Sequence, residues 1–88
     1  MDIMKPKNSE PWRAYEYACK AARELNGAAF KLYIYLSYWP EDTTLSFSYS
    51  SFARDCGGGL TSARRAMAEL IEKRYIKQVA NELFYFYL

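Results

Sequence analysis

Residues 48–73 read SYSSFARDCGGGLTSARRAMAELIEK, and three consecutive glycines divide them into a short segment and a long one. Gly57-Gly58-Gly59 is a poor helix interior, because glycine loses the most backbone freedom on ordering, and the run favours a tight turn. Ahead of it, Phe52, Ala53 and Asp55 fit a short helix that either Ser48 or Ser50 can cap with its hydroxyl. Beyond it, Ala63, Ala66, Met67, Leu70 and Ile71 recur at helical spacing. That spacing predicts a helix over 60–73 with those five residues inside, and it leaves Leu60, Thr61, Arg64 and Arg65 off the inner face.

On the N-terminal side, residues 28–39 are apolar or aromatic at nearly every position, with only Lys31 and Ser37 interrupting. A helix of that kind must be covered on more than one side. Asn26-Gly27 punctuates the chain before it, Pro40 ends it, and Glu41-Asp42 makes a solvated loop. An earlier helix starts at a Ser9 cap with Glu10 and Pro11 in its first turn, and is expected to bury Tyr15, Ala18, Cys19, Ala22 and Leu25. Glu16 and Lys20 on its outer face form a favourable i,i+4 pair. Thr43 to Phe47 reads as one brief strand. Tyr75 to Val79 and Leu83 to Leu88 read as two more, joined by the turn Ala80-Asn81-Glu82. Residues 1–8, with Lys5, Pro6 and Lys7 and no apolar period, read as a flexible basic arm before a single domain over 9–88.

Helix, helix, short strand, short helix, glycine turn, longer helix and hairpin is the element order of a winged helix-turn-helix. The expected class is α+β, mostly α, with an additional N-terminal helix and a C-terminal β-hairpin wing. Residues 26–88 also resemble the small winged-helix domains of bacteriophage, plasmid and conjugative-element proteins, among them the N-terminal domains of phage replisome organisers. The resemblance runs through Ala29-Phe30-Lys31-Leu32-Tyr33-Ile34-Tyr35-Leu36, Ser50-Ser51-Phe52-Ala53, Ala66-Met67-Ala68-Glu69-Leu70-Ile71-Glu72-Lys73 and Phe84-Tyr85-Phe86-Tyr87. It departs from the family pattern at Gly58 and Gly59, where an apolar plug and a hydroxyl cap are usual. Leu60 stands where a polar contact is usual, and Arg74 replaces a helix-ending glycine.

The resemblance implies binding of double-stranded DNA by the longer helix, in transcriptional or replication control of a mobile genetic element. Arg64 and Arg65 suit guanine edges or phosphates, Thr61 and Ser62 suit phosphate oxygens, and Leu60 shares that end. Arg54, with Lys5 and Lys7 from the arm, extends the basic surface. The formal net charge is only +2, and the wing tip carries an acid and no cation. Aromatic residues make up 18% of the chain, including nine Tyr, more than so small a domain can enclose. The alternative is therefore a protein-binding winged helix that inhibits or redirects a host or defence protein. Trp12, Tyr15, Tyr35, Tyr38 and Trp39 are the candidate partner or homodimer surface. Enzyme chemistry fails on inventory. There is no His, Cys19 and Cys56 have no activating partner and read as small buried residues, and no phosphate-loop Lys follows the glycines. No metal-ligand set or cofactor motif is present. With no signal peptide and no membrane-length apolar run, a cytoplasmic protein is expected.

Overall fold

Asn26 turns the chain from its first helix into its second, and its side chain does the capping: Oδ1 accepts from the Ala29 N–H at 3.0 Å. The computed structural model describes residues 1–7, 11–38 and 40–86, with 11–14 described by their backbone alone. The expectations at Ser9, Glu10 and Trp39, for the Trp12 side chain and for the last two residues lie outside them. Eight elements follow in order: β1 (Asp2–Lys5), α1 (Pro11–Glu24), α2 (Gly27–Ser37), β2 (Thr43–Ser46), α3 (Tyr49–Cys56), α4 (Leu60–Glu72), β3 (Ile76–Ala80) and β4 (Leu83–Phe86).

α2 is the centre of the core. It buries Ala29, Leu32, Tyr33 and Leu36, and its most extensive partner is α4, which buries Ala63, Ala66, Met67 and Leu70. Tyr33 is 2% exposed and lies edge-on to Tyr75 and tilted against Phe86, with ring centroids 5.5 and 5.6 Å away. A second aromatic group, Tyr35, Phe47 and Phe52, joins α2 to α3. Among the described tyrosines Tyr33 and Tyr75 are buried, and Tyr17, Tyr35, Tyr49 and Tyr85 are half-buried. Ile71, expected inside, is 38% exposed on the flank of α4. Among the described side chains of α1 and the residue after it, Ala21 and Leu25 are buried and Tyr17, Ala18 and Cys19 half-buried, whereas Tyr15 and Ala22 are exposed. The alanine-rich helix fits two phases, and the one adopted puts the small Ala21 fully in the core. Lys20 pairs with Glu24 at 3.8 Å. Both cysteines are free and half-buried rather than buried.

Residues 2–5 are not an arm. β1 is an inner strand of a four-stranded sheet in the order β2-β1-β4-β3, antiparallel to β2 and parallel to β4. Ile3 is fully buried, and the strand joins the β3–β4 hairpin to the rest of the domain. Only one apolar residue of four is fully enclosed, so no periodicity announces it.

The C-terminus of α4 is closed by backbone alone. The Tyr75 N–H donates to the Leu70 carbonyl at 2.8 Å and the Arg74 N–H to the Ile71 carbonyl at 3.1 Å, the paired bonds of a Schellman motif. Arg74 itself has φ 67°, where glycine is the usual occupant. Truncating the core beneath it, Leu70→Ala, is expected to lower stability by about 2–5 kcal/mol. Thermal unfolding followed by circular dichroism checks this, and an unchanged midpoint would mean that α4 is not held by this core.

Candidate nucleic-acid interface

The turn between α3 and α4 uses its glycines unequally. Ser48 caps α3 by accepting from the Ser51 N–H at 3.1 Å, and the helix ends where the Gly57 N–H reaches the Ala53 carbonyl at 2.8 Å. Gly57 and Gly58 take φ of 82° and 90°, a region that side chains resist. Gly59 is extended at φ −106°, caps α4 with no side-chain bond, and has open space where a Cβ would stand. Orphan N–H groups are left at the start of α4, and with them the positive end of the helix dipole.

The first turns of α4 hold the expected residues on different sides. Arg64 lies over the Tyr49 ring, 5.8 Å from its centroid, and shares a groove of about 480 Å³ with Leu60, Gln78, Asn81 and Glu82. Burial raises the Tyr49 hydroxyl pKa and the nearby Arg64 charge opposes that rise. Thr61 and Arg65 are exposed, and Arg65 makes no ion pair or hydrogen bond among the described residues. Ser62 faces elsewhere, lining a pocket with Lys31 and the glycine turn. Arg54 is drawn to Asp55, Nε to Oδ1 at 3.3 Å, and Asp55 also accepts from the Tyr35 hydroxyl at 3.2 Å. Tyr49 is not among the expected residues; only the turn brings it to Arg64, so spacing gives no signal.

Lys5 does not reach outward. It is 6% exposed, and its Nζ donates to the Ser37 carbonyl at 2.6 Å. Desolvation lowers its pKa, with Glu41 opposing the shift. The cation sits at the C-terminal end of α2, where the helix dipole is negative and the last turn has no basic residue of its own. Lys7 remains exposed. Of the aromatic candidates, Tyr35 is half-buried with its ring edge-on against Phe47 and Phe52, while Tyr15 and Tyr38 are 74% and 85% exposed.

Residues 23–76, from the end of α1 to the start of β3, match the family model described as a helix-turn-helix domain. The chain belongs to the helix-turn-helix domain family. No curated protein and no solved structure matches it. In helix-turn-helix domains the second helix of the unit is the one that enters the DNA major groove, and here that helix is α4. Among the described residues of this helix-turn-helix protein, no helix is long and apolar enough to cross a membrane.

Two substitutions probe the local structure. Gly59→Ser supplies the missing cap oxygen into open space, and is expected to raise stability by a few tenths of a kcal/mol to about 1 kcal/mol. Lys5→Ala is expected to lower it by about 1–3 kcal/mol, since a partly buried carbonyl is deprived of a charged donor and the strand of the packed lysine stem. Chemical denaturation measures both; a Lys5→Ala variant as stable as the parent would contradict the structural role.

Proposed function

We propose that the protein binds double-stranded DNA by setting the N-terminal half of α4 into the major groove, as a regulator of transcription or replication in a mobile genetic element. The observation that carries this reading is the pair Arg64 and Arg65 on the outer side of the second helix of a helix-turn-helix unit, with Arg65 uncommitted among the described residues. Arginine's planar fork suits guanine O6 and N7 or a phosphate, and exposed Thr61 adds a hydroxyl beside it. The mobile-element role rests on the resemblance of residues 26–88 to phage, plasmid and conjugative-element domains.

One helix with so few cations binds weakly, so two copies acting together fit the reading better than one. Tyr15 and Tyr38, both largely exposed, are the residues offered for that contact. A protein partner in place of DNA is favoured by one observation, the 44% exposure of Leu60 at the reading end of α4.

Replacing Arg64 and Arg65 together with Ala is expected to lower stability by no more than about 1 kcal/mol, mostly through the lost contact of Arg64 with the Tyr49 ring. DNA affinity should fall by about 1–3 kcal/mol for each base edge no longer held, whereas removal of a phosphate grip should flatten the salt dependence. Fluorescence anisotropy on duplex DNA at two salt concentrations distinguishes these. Absence of binding by the parent protein at low salt would end the DNA reading and turn attention to Leu60 as a protein-binding residue.

A further inference from the structure

The far end of α4 carries a second basic groove that the helix-turn-helix reading leaves unused. About 500 Å³ in volume, it is lined by Lys20 of α1, Lys73 and Arg74 after α4, and Lys77 of β3. Gln78 lines both this groove and the one beside Arg64, so the two meet along the seam between α4 and β3. Lys20 and Lys73 are partly neutralised, by Glu24 and Glu69, each at 3.8 Å. Arg74 and Lys77 meet no carboxylate among the described residues, and Glu72, the acid nearest in sequence, does not line the groove.

The backbone of Arg74 supplies an independent observation. Its left-handed conformation is the one a glycine adopts without strain, and every hydrogen bond that ends α4 there is made by main-chain atoms. The guanidinium forms no ion pair or hydrogen bond among the described residues, so the side chain adds nothing that offsets the strain. A strained cation opening onto a cationic groove points to an anion outside the protein.

We propose that Arg74 and Lys77, supported by Lys20 and Lys73, hold the phosphodiester backbone of the duplex that α4 reads. This rests on the DNA-binding reading above and adds a second contact to it. The 13 residues of α4 span about 20 Å, more than the roughly 12 Å width of the major groove. For a helix that crosses the groove with its N-terminal turns at the base edges, the C-terminal cations lie past the groove wall, among phosphates. The contact carries no sequence information. It takes over the phosphate grip that the wing tip, with Glu82 and no cation, cannot provide.

The test measures melting and binding to a mixed-sequence duplex for the parent, Arg74→Gly, Lys77→Ala and the Arg64→Ala/Arg65→Ala double variant. Arg74→Gly is expected to melt at a higher temperature yet bind about fivefold more weakly at about 0.15 M salt, with a log–log salt slope shallower by about 0.9. A merely structural residue would not move stability and affinity in opposite directions. Lys77→Ala should show the same weakening of binding without the rise in melting temperature, which keeps the proposal testable if the glycine variant misfolds. A parent that binds while Arg74→Gly and Lys77→Ala keep its affinity and slope overturns this inference alone. A parent that binds no duplex at low salt overturns the DNA reading and the inference together.

Discussion

Between Gly27 and Ser37 only Lys31 and Ser37 interrupt a run of apolar and aromatic side chains, so α2 has no face to give to water. Each neighbouring element supplies a covering side. α4 brings Met67 and Leu70, α1 brings Ala21, with Leu25 following it, β4 brings Phe86 to 5.6 Å from Tyr33, and α3 brings Phe52 to 5.3 Å from Tyr35. Each large side chain enclosed this way contributes about 1.5–3 kcal/mol, whereas exposed pairs such as Lys20–Glu24 contribute about 0–1 kcal/mol. Enclosing α2 therefore decides where the other helices lie. The polar contacts then fix details. Glu69 clasps the Asn26 N–H at 2.9 Å, which ties α4 to the joint between α1 and α2.

How much of this is legible in the sequence depends on the length of the signal. The 60–73 helix shows because four inward residues recur over several turns, and the glycine turn because no helix tolerates it. The strand at residues 2–5 does not show, since four residues with one fully enclosed apolar side chain fall below any periodicity. Its role comes from partners far along the chain, Leu45 and Phe84 on either side of Ile3. With the strand hidden, Lys5 is misplaced as well: it reads as an outward-facing cation in a polar segment, whereas it caps α2. The phase of α1 is ambiguous for a related reason. With alanines at 14, 18, 21 and 22, hydrophobicity alone hardly separates the faces.

At the candidate interface the residue types are legible and their company is not. Arg64 and Arg65 stand off the inner face of α4, as spacing requires. Sequence cannot say that Arg54 turns to Asp55 while Arg65 has no partner among the described residues, because both depend on geometry around the turn. The mild net charge is likewise a poor guide. Acids such as Glu24 and Glu69 are taken up by contacts within the fold, through the Tyr75 hydroxyl and through Asn26.

Both ends of α4 break the local rules that usually stabilise a helix. Its N-cap is a glycine with no side-chain oxygen, and its C-terminal motif places an arginine where glycine fits. A few tenths of a kcal/mol are forgone at one end and about 1 kcal/mol at the other. A helix with such ends owes its position to what it packs on, which agrees with Ala63, Ala66, Met67 and Leu70 all being buried along one side. Tertiary packing thus frees the termini from a structural duty, and helix stability does not explain the residues found there. At the N-terminus that leaves N–H groups without a side-chain cap, and at the C-terminus a cation on a strained backbone. Both are features an anionic partner would use, one at each end of the same helix.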